Sequence, residues 1–113
     1  MRVGPGAYRM TCIGFLSVAP VKEGSMAADV ADAVAALEEY DVEYETTPMG
    51  TIIEAADSQE LFAAASGAHA AVDSNRVSTF LKVDDKRTVE SDAASKVAAV
   101  EAELGRPARS DRD

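Results

Sequence analysis

Strand-like and helix-like apolar patterns alternate along this chain of 113 residues, and their order constrains the fold more than any single motif. Residues 13–21 predict a strand in which Leu16 and Val18 face one side while Phe15 and Ser17 face the other. Such strict alternation is typical of a strand that separates two different environments.

A helix follows this strand, because Val30, Val34 and Leu37 recur at helical spacing behind a candidate N-cap at Ser25. The same reasoning predicts strands at residues 13–21, 42–47, 51–56 and 77–84, and helices at about 25–40, 58–72 and 91–104. This β-α-β-β-α-β-α order predicts an α+β protein, a ferredoxin-like βαββαβ plait with an additional C-terminal helix.

The plait places two helices on one face of a four-stranded antiparallel sheet and leaves the other face bare. An apolar sheet face is costly in water, so we expect the last helix, another subunit or both to cover it. The residues expected there are Phe15, Ser17, Ala19, Phe80, Lys82 and Asp84, with either Ile52 and Glu54 or Thr51 and Ile53.

The chain is long enough for one small core. Residues 1–9 are predicted to be a disordered N-terminal extension, because they contain two glycines and a proline and show no periodicity. Residues 10–104 are predicted to form the single domain, and residues 105–113 a flexible tail.

Acidic side chains outnumber basic ones by 20 to 11, for a net charge of -9. This balance argues against nucleic acid and anionic membranes as partners. Many acids, few lysines and many alanines are typical of proteins adapted to high salt, so we expect a halophilic origin. The four lysines are Lys22, Lys82, Lys86 and Lys96.

The chain contains one cysteine and one histidine, Cys12 and His69. It therefore forms no internal disulfide and offers no cysteine or histidine cluster for zinc, so no metal or cofactor is expected. A single cysteine is compatible with a reducing cytoplasm, where we expect the protein to reside. His69 is expected to be buried near the apolar stripe of the second predicted helix, bonded to the backbone or to an acid.

Three stretches, FLSVAPVKEG, YETTPMGTIIEA and RVSTFLKVDDKR, resemble the thiamine-binding protein family, the small single-domain relatives of YkoF. The matching features are a first strand that ends in Pro, a Met-Gly-Thr turn before a strand with Glu, a helix that carries His, and an Arg-Val strand that ends in Lys-x-Asp-Asp-x-Arg. The resemblance implies a ferredoxin-like, oligomeric and often tetrameric protein that binds thiamine or its hydroxymethylpyrimidine moiety and is not an enzyme.

A thiamine site implied by this resemblance needs polar groups at the pyrimidine edge and an apolar wall. Ser17, Thr51 and Glu54 are the candidate polar contacts, Gly50 is a candidate backbone contact in a turn, and Phe80 is the candidate wall. Lys82 completes the predicted ligand-binding set.

Each of these residues also has a purely structural interpretation. Glu54 and Lys82 could form an ion pair on adjacent strands, and Gly50 could serve only a turn in which glycine tolerates a positive φ. Phe80 could pack only against another subunit. The alternative function is therefore a structural or regulatory oligomer whose bare sheet face only mediates assembly.

Overall fold

The computed structural model describes residues 12–87 and 93–108. The predicted extension at residues 1–9 lies outside the described residues, as does most of the predicted tail. The elements are β1 Cys12–Pro20, α1 Ala27–Leu37, β2 Glu43–Thr46, β3 Thr51–Ala55, α2 Ser58–Ala70, β4 Val77–Asp85 and α3 Ala93–Leu104.

The four strands form one antiparallel sheet in the order β2-β3-β1-β4. This order confirms the predicted ferredoxin-like plait with its additional C-terminal helix. β2 lies at the edge, as its alternation of polar and apolar residues predicts. The register pairs Leu16 with Thr51 on β3 and with Leu81 on β4.

The core lies between the sheet and the two helices α1 and α2. Cys12, Leu16 and Val18 of β1 point into it, and the fully buried Ile53 comes from β3. The predicted apolar face of α2 is confirmed, because Leu61, Ala64, Ala65, Ala68 and Val72 are all buried. Small alanine side chains allow α2 to approach the sheet closely.

Both helix starts shift by one or two residues from the sequence prediction. α1 has Met26 at its N-cap position, while the Ser25 hydroxyl accepts a hydrogen bond from the Ala27 amide at 3.3 Å. α2 is capped by Asp57, whose carboxylate accepts from the Glu60 amide at 2.9 Å. A carboxylate at the N-cap also suits the positive end of the helix dipole.

The second face of the sheet carries the residues predicted for it, and the register resolves the open choice in favour of Ile52 and Glu54. We call this surface the open face; its residues are Ile13, Phe15, Ser17, Ala19, Glu43, Glu45, Ile52, Glu54, Ser78, Phe80, Lys82 and Asp84.

Helix α3 attaches to the open face through its first turn. The Ala93 amide donates to Glu54 at 3.0 Å, and Lys96 pairs with Asp84 at 3.0 Å. Val97, Val100 and Leu104 of α3 remain about half exposed, and Phe80 is 59% exposed. Helix α3 therefore leaves much of the open face uncovered. None of the helices in the described ranges is long and apolar enough to cross a membrane.

Candidate functional site

A cavity of about 260 Å³ opens between α1 and the sheet, beside the turn that joins β2 to β3. It lies where β1 continues beyond the start of β3. β3 begins at Thr51, opposite Leu16, whereas β1 extends to Pro20. The unequal lengths of these two strands thus leave room that the sheet does not fill.

The walls of this cavity are apolar. Leu16 and Val18 form the sheet side, and Met26, Val30 and Val34 form the helix side. The apolar stripe predicted for α1 therefore has two roles: its last residue, Leu37, is fully buried, whereas the half-buried Val30 and Val34 face the cavity. Among the residues that the structure describes, none that lines the cavity is ionisable.

The turn at residues 47–50 satisfies its own polar groups. The Thr47 amide and hydroxyl both donate to the Gly50 carbonyl at 2.8 Å, and the Gly50 amide lies 3.2 Å from the Thr47 hydroxyl oxygen. The turn is therefore a rigid rim for the cavity, and the main chain of Gly50 is already engaged.

The reason for glycine at position 50 differs from the prediction. Gly50 has no positive φ; within the described residues that conformation occurs at Gly24 and Gly105. Instead, a Cβ on Gly50 would lie 2.8 Å from the Leu16 carbonyl oxygen. Glycine is needed because the turn approaches β1 too closely for a side chain.

Thr51 is the buried polar residue of the core, at 5% exposure, and it lines the cavity. Its hydroxyl has no hydrogen-bond partner within residues 12–87 and 93–108. A buried hydroxyl without a partner is costly, so this group is a candidate ligand contact.

The six predicted ligand residues divide between the two sides of the sheet. Gly50 and Thr51 lie at the cavity, and Ser17 borders it along β1 while its side chain points to the open face. Glu54, Phe80 and Lys82 lie on the open face. The set therefore does not form one site within a single chain.

The alternative ion pair between Glu54 and Lys82 does not fit the topology. The two residues lie on β3 and β4, and β1 runs between these strands. Glu54 accepts instead from the Ala93 amide of α3. Phe80 contacts Phe15 edge-to-face, with ring centroids 6.4 Å apart, so the open face has an aromatic pair at its centre.

The single histidine and the single cysteine of the chain, His69 and Cys12, do not line the cavity. The prediction of a buried His69 is wrong: His69 is exposed on α2, and its Nδ1 lies 2.5 Å from the Thr79 hydroxyl. Cys12 is buried, and that burial, with a smaller effect of Asp85, raises the pKa of its thiol. The described part of the chain holds no group of three or more His, Cys, Asp or Glu that could bind a metal ion.

Sequence reasoning missed the helix side of the cavity, Met26, Val30 and Val34. Their spacing is that of any amphipathic helix, and nothing in it distinguishes a residue that faces a cavity from one that faces the core. Val18 was assigned to the buried side correctly, but its position beyond the start of β3 follows only from the register.

Comparison with known proteins assigns this chain to a family. The family model described as thiamine-binding protein matches residues 15–101, which run from within β1 to within α3 and include every element between them. The chain belongs to the thiamine-binding protein family. The resemblance read from the three sequence stretches is thereby confirmed.

Two archaeal proteins are similar to this chain in sequence. The UPF0045 protein of Methanothermobacter thermautotrophicus is 42% identical over 83 residues, which cover 71% of this chain and 84% of the relative. The UPF0045 protein of Methanocaldococcus jannaschii is 33% identical over 88 residues, which cover 75% of this chain and 87% of the relative.

Solved structures share the fold. The crystal structure of the Methanocaldococcus jannaschii protein superposes with a TM-score of 0.74 at 32% identity, over 80% of this chain and 97% of that one. A Thermotoga maritima protein, named as a candidate thiamine biosynthesis/salvage protein, has a TM-score of 0.68 at 18% identity, over 79% and 97% of the two chains. At that identity the second likeness concerns the fold alone.

Proposed function

We propose that this member of the thiamine-binding protein family binds thiamine or its hydroxymethylpyrimidine moiety in the cavity between α1 and the sheet, without catalysing a reaction. The observation that carries the proposal is the Thr51 hydroxyl, buried and unpartnered in an apolar cavity. Such a hydroxyl can donate a hydrogen bond to a heteroaromatic ring or accept one from it, while the faces of the ring lie against aliphatic side chains.

The size of the cavity supports one ring of thiamine rather than the whole molecule. Small-molecule sites usually measure about 300–1,000 Å³, and this cavity, at about 260 Å³, falls just below that range. The cationic thiazolium is better placed at the mouth, where the acidic surface and water both favour a positive charge.

Binding without catalysis is supported by the lining. Acid-base and nucleophilic catalysis require positioned groups such as His, Glu or Cys. Hydroxyl and peptide groups are the polar groups that the described residues place at this cavity. These groups orient a ligand by hydrogen bonds but have no tendency to take its protons near neutral pH.

Calorimetric titration with thiamine, with hydroxymethylpyrimidine and with the isolated hydroxyethylthiazole tests the proposal. The first two compounds are expected to bind and the third to give no heat. At a concentration one hundred times the Kd, a bound compound stabilises the fold by about 2.7 kcal/mol, which raises the Tm. Neither heat nor a Tm shift with the first two compounds would refute the proposal.

The Thr51→Val substitution tests the cavity itself, because valine keeps the shape and removes the hydroxyl. Affinity is expected to fall about tenfold, the value of one hydrogen bond. Thr79→Val is the matched control, since Thr79 lies on β4, does not line the cavity and contacts His69 of α2. Equal affinity of Thr51→Val and the unaltered protein would place the ligand elsewhere.

We also infer that the open face joins subunits. The Phe80 side chain is 59% exposed and lies edge-to-face against Phe15, and Val97, Val100 and Leu104 of α3 are half exposed. A second copy of the chain would cover these apolar surfaces. Under this inference, the open-face residues Glu54, Phe80 and Lys82 contact a second subunit and do not contact the ligand. Its test by light scattering is given in the Discussion.

A further inference from the structure

The last residues of β1 lack a neighbour on one side. β4 pairs with all nine residues of β1, from Cys12 to Pro20. β3 pairs only with residues 12–16, because it begins at Thr51. On the β3 side, therefore, residues 17–20 face the cavity and the turn instead of another strand.

The direction of the peptide groups follows from Gly50. The Leu16 carbonyl points towards β3, since a Cβ on Gly50 would lie 2.8 Å from its oxygen. Successive residues of a strand direct their N–H and C=O groups to opposite sides in the plane of the sheet. Val18, two residues after Leu16, therefore directs both groups away from β4 and towards the cavity.

The Val18 main chain is buried in this position. Val18 is 7% exposed and lines the cavity, and no main-chain group among the described residues outside the strand ladders bonds to it. Buried peptide groups are nearly always paired in folded proteins. An unpaired N–H and C=O beside an unpaired Thr51 hydroxyl therefore point to a ligand with matching polar edges.

We propose that the main-chain N–H and C=O of Val18 bind the ring nitrogen and the adjacent exocyclic amine of a 4-aminopyrimidine. The ligand thereby takes the place that residue 49 would occupy if β3 began two residues earlier. The inference rests on the proposed function, and it adds which main-chain groups of the protein bind the pyrimidine.

The chemistry of the two partners is complementary. A 4-aminopyrimidine carries an acceptor nitrogen next to a donor amine, and one residue of a strand edge presents a donor next to an acceptor. Val30 and Val34 of α1 lie across the cavity and can pack on the flat ring. The isolated hydroxyethylthiazole has no amine next to its ring nitrogen, so we do not expect it to bind in the cavity.

Nuclear magnetic resonance provides the direct test. When hydroxymethylpyrimidine is added to the labelled protein, the Val18 amide is expected to shift downfield and to exchange with solvent at least tenfold more slowly. The Ala19 amide is the internal control, because it points towards Ser78 of β4 and is already paired. A pyrimidine analogue that lacks the exocyclic amine is expected to bind about tenfold more weakly.

Proline substitutions test the same groups by removing single donors. Val18→Pro removes an N–H that the ladder does not use, so the fold is kept and affinity for hydroxymethylpyrimidine falls about tenfold or more. Ala19→Pro removes a ladder donor and lowers the Tm sharply. Val18→Ala keeps the amide and controls for the lost side chain.

The outcomes separate this inference from the proposed function. If thiamine and hydroxymethylpyrimidine both fail to bind the unaltered protein, both proposals fall. If they bind but the Val18 amide neither shifts nor gains protection, only the role of Val18 is overturned. Unfolding of Val18→Pro to the same degree as Ala19→Pro would also overturn it, because the Val18 amide would then belong to the ladder.

Discussion

Gly50 lies against Phe15 so closely that a Cβ on the glycine would come within 2.7 Å of the phenylalanine Cζ. Gly50 belongs to the turn that borders the cavity, and Phe15 belongs to the open face. The contact between Gly50 and Phe15 therefore joins the candidate ligand site to the candidate subunit interface.

The Gly50→Ala substitution is expected to displace this turn. The Phe15 ring can move aside, but the Leu16 carbonyl at 2.8 Å is backbone and cannot. We expect a loss of about 1–3 kcal/mol in unfolding free energy and a marked loss of ligand affinity, measured by chemical denaturation and calorimetry. Met49→Ala is the control, because Met49 is 79% exposed and its truncation should leave stability unchanged. A fully stable Gly50→Ala protein would contradict this account of the turn.

Phe80→Asp is expected to abolish self-association. The substitution places a charge at the centre of the apolar part of the open face, where burial against a second copy becomes costly. Light scattering should give the monomer mass of 11.8 kDa for the variant and a multiple of it for the unaltered protein. Phe62→Asp on α2 is the matched control, since Phe62 is also about half exposed but lies away from the open face. A monomeric unaltered protein would contradict the proposed interface.

Tyr44 is expected to titrate above the ordinary tyrosine pKa of about 10. Its hydroxyl donates to the Glu38 carboxylate at 2.5 Å, and this hydrogen bond is the main cause of the raised pKa. The protonated tyrosine is the form that the fold favours. Its contribution to stability is thus fully present below the ordinary value and is lost as the pH rises through the raised one.

Nuclear magnetic resonance of labelled tyrosine can follow this titration. The Glu38→Gln substitution should return the pKa of Tyr44 towards its ordinary value, because a neutral amide is a weaker acceptor than a carboxylate. An unchanged titration of Tyr44 in the variant would show that the hydrogen bond does not control it.

The net charge of -9 led us to expect a protein adapted to high salt. The stability of such a protein should increase with the salt concentration. The Tm should rise by several degrees between ~0.1 M and molar KCl, because salt screens repulsion between acids. A flat Tm across this range would refute the adaptation.

Glu54→Gln tests whether this residue contacts the ligand. Glutamine keeps an oxygen that accepts from the Ala93 amide while it removes the charge. Ligand affinity should not change, because Glu54 lies on the open face; a weakened affinity would return Glu54 to the site.

The fold followed from the sequence because each strand separates two environments. The alternation of Leu16 and Val18 with Phe15 and Ser17 specifies two faces, and that information is local. Which of Thr51 and Glu54 shares a face with Ser17 depends on the register between β1 and β3. The sequence TIIEA offers one isoleucine to each face, so it does not specify this register by itself.

The candidate site was only partly predictable for the same reason. Thr51 and Gly50 were identified through the turn motif, but the cavity depends on where β3 begins relative to β1. The position of α1 above that region is a second non-local property, so Val30 and Val34 resemble ordinary core residues. Caps are closer to local chemistry, yet Asp57 and Ser58 are both good N-caps, and only the bond to the Glu60 amide distinguishes them.

The cavity exists because two neighbouring strands differ in length, not because large side chains surround a hole. Its dimensions can therefore change by insertion or deletion within the exposed turn at residues 47–50, without any substitution in the core. A longer β3 would close the cavity with the chain's own backbone, and a shorter one would admit a larger molecule. The size of the cavity thus depends on the length of a loop, which is among the easiest features of a protein to alter.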